Sequence, residues 1–175
     1  MCAAQFRYYH FEDTPRKPDA IVYYRDGVSE AQYNEVMAKE YAQIKLTIAK
    51  IQKDLNDTWE PTVTIVIVQK RHHLRMFQAD ASKLDKSGNA QPGTVIDSGV
   101  THPLNHDFYL QSHAGIQGTS RPTHYTVLVD ELGFSADEIQ TLTFELCHVY
   151  QRCSRSVSIP TPVYVTASPP TCHPC

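Results

Sequence analysis

The sequence predicts an α/β fold in which helices pack on a sheet, and three observations carry that prediction. Thr62 to Gln69 is apolar on both faces, as a central strand covered on each side must be. Two helix starts carry capping patterns, Ser29-x-x-Gln32 and Ser135-x-x-Glu138, each followed by apolar residues at helical spacing. The first half of the chain reads strand, helix, strand. With 175 residues, 41% of them hydrophobic, there is enough apolar surface for one core of ordinary domain size.

Ala20 to Tyr24 is a short β-prone run, ended by the turn signal Arg25-Asp26-Gly27. From Ser29 the apolar residues Tyr33, Val36, Met37, Tyr41, Ile44, Ile48, Ile51 and Leu55 mark a long amphipathic helix that packs on the sheet. The central strand follows and runs directly into Lys70-Arg71-His72-His73-Leu74-Arg75. Ala79 to Gly93, with Ser87-Gly88-Asn89 and Pro92-Gly93, reads as an exposed, mobile loop. Three β-like segments come next, Thr94 to Ser98, Asp107 to Gln111 and His124 to Asp130. The helix opened at Ser135 carries Ile139, Leu142, Leu146, Val149 and Tyr150 and is expected to run to about Arg152. Beyond Ser156 the chain turns to Pro and Thr, and Cys172-His173-Pro174-Cys175 has half the spacing of a zinc site without a second ligand pair, so it reads as a disordered terminus.

Net charge is −3, so the chain as a whole is no basic nucleic-acid binder, and any such role must come from local charge. The local distribution is uneven. Residues 126 to 147 hold five acids and no Lys or Arg, whereas residues 69 to 125 hold six bases against four acids. Five scattered cysteines (Cys2, Cys147, Cys153, Cys172, Cys175) with no signal-peptide pattern fit a reducing intracellular compartment. No apolar stretch approaches the roughly 20 residues of a membrane span, so a soluble protein is expected.

Three segments suit anions: the basic cluster 70–75, the glycine-containing loop His113 to Pro122 with Arg121, and Arg152 to Pro160 with two arginines and three serines. Each alone is weak, since a basic loop is usually just solvated and an arginine after a helix complements its dipole. Together they suggest a groove that tracks a sugar-phosphate backbone. Asp26, at a strand-to-helix junction, suits a catalytic or metal-binding carboxylate, but two-metal phosphoryl transfer needs several converging oxygen ligands. Asp97, Asp107 and Asp130 show no spacing that specifies convergence with it and read as solvated turn or strand-end acids.

The segments that carry these features resemble the Argonaute family, specifically the C-terminal part of its PIWI domain, over roughly Tyr23 to Tyr164. The motifs are Tyr-Arg-Asp-Gly-Val-Ser-Glu (24–30), Val-Gln-Lys-Arg-His-His (68–73), Thr-His-Pro (101–103), Asp-Phe-Tyr-Leu-Gln-Ser-His-Ala-Gly-Ile-Gln-Gly-Thr-Ser-Arg-Pro (107–122) and Arg-Ser-Val-Ser-Ile-Pro (155–160). The 16-residue block is specific, and the likeness is to eukaryotic Argonautes of the small-RNA silencing type.

That resemblance implies an RNase H-like (PIWI) mixed sheet flanked by helices, here incomplete, with residues 1–19 an N-terminal remnant, 20–164 a partial PIWI domain and 165–175 a divergent, disordered tail. It implies a small guide RNA bound along a groove and, in active members, Mg2+-dependent cleavage of the paired target RNA by an Asp-Glu-Asp-His set. Only the second Asp maps here, onto Asp26, which would also be the one metal ligand. The first Asp and the Glu belong upstream of Met1, and Ala167 stands at the His position. The family's guide-contacting positions fall on Lys70, Arg71, His73, Arg75, His113, Arg121, Tyr150, Arg152, Ser158 and Tyr164, while His72 receives no assignment. The expectation is an RNA-binding chain that is catalytically incompetent alone and holds no Mg2+ by itself, in the cytoplasm with the nucleus as a second site. One rival is a slicer completed by other carboxylates such as Asp97 or by a separate chain. Another is a docking module for tryptophan-containing silencing partners on the first helix. Missing neighbour strands would also leave an exposed apolar sheet edge.

Overall fold

The structure is a computed structural model that describes residues 17–56, 58–115 and 117–167. Its centre is a five-stranded sheet of β1 (Ala20–Asp26), β2 (Thr62–Gln69), β3 (Thr94–Ile96), β4 (His106–Gln111) and β5 (Thr123–Asp130), in the order β1-β2-β5-β4-β3. β1 and β2 are parallel, and the remaining pairs are antiparallel, which makes the sheet mixed. β1 and β3 are the outer strands among the described residues. Ile21, Val22 and Tyr23 of β1 are only half-buried there.

Side chains alternate across a strand, and β2 shows what that alternation does here. Val63 and Ile65 pack on Ile44 and Ile48, and Ile67 packs on Val28 and Val36, all on one face. Val66 and Val68 point the other way, into a cluster with Tyr24, Phe108, Leu110, Tyr125, Ile139 and Val163. Val63, Ile65, Val66, Ile67 and Val68 are fully buried, as a strand apolar on both faces requires. Each such side chain contributes about 1.5–3 kcal/mol relative to exposure.

The first face is covered by a continuous helical run. It opens as a 3-10 turn (Glu30–Gln32), with the Gln32 side chain accepting from the Ser29 N–H at 3.1 Å. After one α turn (Tyr33–Glu35) it widens into a π segment (Val36–Tyr41) and then becomes the regular helix α1 (Ala42–Leu55). The π segment answers a step in the sequence. Val36 and Tyr41 are five residues apart, and an i to i+5 turn keeps both on the sheet-facing side, where a plain α-helix would rotate one away. It also turns Glu40 towards β1, where it accepts from Tyr23 Oη and Arg25 Nε, both at 2.9 Å.

The other face is covered by α2 (Ala136–Leu146) and α3 (Thr161–Ala167). The capping box at Ser135 and Glu138 forms as expected. The helix ends six residues short of Arg152, because Val157 N–H donates to the Cys147 carbonyl at 2.8 Å and the returning chain takes the place of a further turn. Val149, expected on the apolar stripe, is therefore 57% exposed. The Pro- and Thr-rich stretch after Ser156 forms α3, in which Pro162 occupies the first turn, where no backbone donor is needed. Thr161 Oγ1 donates to the Leu146 carbonyl at 2.7 Å and ties α3 to the end of α2. The boundary expected at Tyr164 falls inside this helix; the Cys172–Cys175 motif and most of the N-terminal remnant lie outside the described residues.

Residues 79–93 are not simply an exposed loop. Asp85 Oδ1 accepts from the N–H groups of Ser87 and Asn89, both at 2.8 Å, and Asn89 and Ala90 are buried. Asn89 then holds the glycine loop, accepting from Ser120 N–H at 2.9 Å and donating to the Gly118 carbonyl at 3.0 Å. A Cβ on Gly115 would come within 2.6 Å of both Asn89 Nδ2 and Ser120 Oγ, so that close approach needs glycine.

Candidate functional site

Gln69 is the last residue of β2 and lies opposite His124 of the antiparallel β5. The basic cluster therefore leaves the sheet beside the chain that enters β5, and Arg121 and Pro122 come alongside residues 70–72. The third anion-suited segment is held against the same place. Thr123 Oγ1 donates to the Ser158 carbonyl at 2.6 Å, and Ser112 Oγ donates to the Val157 carbonyl at 2.8 Å. Two hydroxyl groups at the ends of β4 and β5 thus fix 157–158 over the sheet's rim.

Lys70 sits at the middle of this arrangement. Its ammonium donates to Ser158 Oγ, which in turn lies 3.3 Å from Tyr164 Oη, and the Tyr164 ring packs on Tyr150 with centroids 4.9 Å apart. Burial pushes the Lys70 pKa down, the like charge of Arg121 adds to that shift, and Asp26 opposes it. His113 is also lowered, first by burial and then by the charge of Lys70, and its Nδ1 is buried without a hydrogen-bond partner. Among the described residues no carboxylate lies within ion-pair distance of Lys70. Buried Cys147 supplies no anion either, because burial raises its thiol to about 11.

The structure thus brings together Lys70, His113, Arg121, Ser158, Tyr164 and Tyr150 from three separate stretches of chain. Arg71, His73 and Arg152 are exposed near these segments, with no contact that ties them to Lys70. Arg75 folds back on its own loop, its Nη1 donating to the carbonyls of Leu74 at 2.7 Å and His72 at 3.3 Å.

Asp26 is exposed at the end of β1, and Asp97, Asp107 and Asp130 do not join it. Asp97 follows β3, four strand spacings away, roughly 19 Å at about 4.8 Å each. It accepts from Gln140 Nε2 on α2 at 3.1 Å. Asp130 pairs with Thr64 at the opposite end of β2 from Asp26 and accepts from the N–H groups of Gly133 and Phe134 at 3.2 and 2.7 Å. Asp107 corrects the expectation of a solvated acid: it is 6% exposed and accepts from His124 Nε2 at 2.7 Å and from the His102 N–H at 2.9 Å. Among the described residues no group of three or more His, Cys, Asp or Glu side chains is placed to hold a metal ion. Mg2+ takes several oxygen ligands, and Asp26 would supply one carboxylate toward that set. Ala167 is the last residue of α3.

His72, Ser112, Thr123 and Asn89 build this site and were not singled out by sequence reasoning. Each acts by a bond to a backbone group remote in sequence, for which spacing along the chain carries no signal.

The Piwi domain model matches residues 1–168. Among solved structures, the chain is similar to the C-terminal lobe of a budding yeast Argonaute, with a TM-score of 0.86 and 33% identity over 93% of this chain and 34% of that one. Kluyveromyces polysporus Argonaute with a guide RNA gives the same TM-score, 0.86, and 33% identity over 93% of this chain and 20% of that one. Drosophila Piwi gives 0.76 and 30% over 90% and 21%. The chain thus spans about a third or less of the length of each of these proteins.

Proposed function

The chain belongs to the Piwi domain family, and from that premise we propose that it binds the sugar-phosphate backbone of a small guide RNA, as part of RNA-mediated silencing, at the site centred on Lys70. The observation that supports this most is charge without compensation. Arg121 lowers the proton affinity of Lys70, and Lys70 lowers that of His113, while Asp26 acts on Lys70 only from beyond ion-pair distance and no ion pair holds Lys70 among the described residues. A fold keeps such groups together when an anion completes them. Ser158 and Tyr164 add neutral hydroxyls suited to phosphate and 2'-hydroxyl oxygens, so the protein grips backbone and leaves sequence to base pairing. Arg71, His73, Arg75 and Arg152 extend the track outward from this centre.

The reading is of binding without cleavage by this chain, because among the described residues no group of three or more His, Cys, Asp or Glu side chains gathers to hold a metal ion. Fluorescence anisotropy with a labelled single-stranded RNA tests the binding. Affinity should fall steeply with salt, with a slope of about −0.7 in log K per phosphate neutralised. Salt-independent binding, or none, would remove the proposal. Mg2+-dependent cleavage of a paired target that is lost in Asp26→Ala would replace it with a slicer.

A further inference from the structure

His72 lies between two loops that each carry a cation. On one side is its own segment with Lys70, and on the other is the Arg121–Pro122 loop, whose charge lowers the Lys70 pKa. His72 Nε2 lies 2.9 Å from the Pro122 carbonyl, a bond spanning 50 residues. A carbonyl only accepts, so Nε2 carries the proton. Nδ1 is buried and has no partner. The ring meets Tyr109 edge-on at 5.2 Å and 71°, and His124 at 6.4 Å and 75°, so packing from β4 and β5 fixes its plane. The titratable groups facing it are His73 and Arg75 from its own segment, Tyr109 from β4 and His124 from β5, with Asp107 engaged on His124.

We propose that His72 is a positioning residue for the RNA site: a neutral strap that holds Arg121 within reach of the phosphate Lys70 binds, against the repulsion between the two cations. This rests on the RNA-binding reading. His72 touches no phosphate itself. A charged ring would bury a second N–H at Nδ1 with nothing to accept it, and burial accordingly lowers its pKa.

The test compares wild type with His72→Phe, His72→Gln, Arg121→Ala and the double variant His72→Phe/Arg121→Ala. Phe keeps the ring packing without the bond, and Gln restores a donor near Nε2. Hydrogen exchange across residues 118–123 reads the strap without RNA: Phe should speed exchange there at least tenfold, and Gln should recover most of the protection. In anisotropy salt titrations, Phe should match Arg121→Ala, weakening binding on the order of tenfold and reducing the salt slope by about 0.7, one phosphate contact. The double variant should be no worse than either single one. Unchanged exchange in a folded Phe variant, or an unchanged slope while wild type binds, overturns the proposal alone. Wild type that binds no RNA overturns the RNA reading and this proposal with it.

Discussion

Gln69 and Lys70 are neighbours in sequence and belong to opposite kinds of polar cluster. The alternation of β2 sends Gln69 to the α1 face, where its Oε1 meets His124 Nδ1 at 3.2 Å and its Nε2 donates to the Val28 carbonyl at 2.5 Å. His124 is bonded to Asp107 at 2.7 Å and stacks on Tyr109 at 4.3 Å, so every ring nitrogen has a partner. Lys70, one residue on, faces α2 and α3 and has Arg121 and hydroxyls around it, with Asp26 beyond ion-pair distance and no ion pair among the described residues. A closed cluster spends its polar groups on the fold, whereas an open one leaves them for a ligand. The two should therefore fail in different ways when mutated.

The largest expected effect is on the closed side. Asp107→Ala leaves His124 and the His102 N–H without their acceptor inside the sheet. Loss of about 3 kcal/mol in urea unfolding is expected, the scale for buried bonds to a charged group. The fraction that remains folded should bind RNA as wild type does. If Asp107→Ala instead weakened RNA binding at unchanged stability, the closed cluster would belong to the site and the contrast would vanish.

Lys70→Met should do the reverse. Met keeps the apolar stem in place and removes a like charge from beside Arg121, so stability should change by less than about 1 kcal/mol. RNA affinity should drop on the order of tenfold at moderate salt, with the salt slope reduced by about 0.7. A large loss of stability with affinity intact would mark Lys70 as a structural residue.

What could be read in the sequence follows the same division. The strand buried on both faces and the starts of the two capped helical runs come from patterns local to the chain, and they stand where the sequence puts them. The Asp107–His124 pair joins positions on two strands through their register, and nothing in the spacing of Asp107 announces it. The early end of α2 depends on Val157 returning to the Cys147 carbonyl, and the loop around Asn89 on bonds to Gly118 and Ser120. These are tertiary contacts that override a local preference. Lys70, Arg121 and Ser158 were each candidates from sequence. What it could not supply is that they converge, since that depends on which strands are neighbours.

The smallest effect sharpens the contrast through pH. His113 has its pKa lowered in the free protein, first by burial and then by Lys70. A histidine with a depressed folded pKa contributes stability that is present above its unfolded value of about 6.5 and lost as pH falls through the folded value. A phosphate bound beside Lys70 would act in the opposite direction and favour the imidazolium, because it offsets the charge that depresses His113. RNA binding below about pH 7 should therefore take up protons, strengthening as pH falls by less than tenfold per pH unit, the limit for one proton. Calorimetry in two buffers of different ionisation enthalpy measures that uptake directly. His113→Phe should reduce it. Proton release on binding, or uptake that survives His113→Phe in full, would show that no phosphate comes near His113, and the open cluster would then have to be drawn without it.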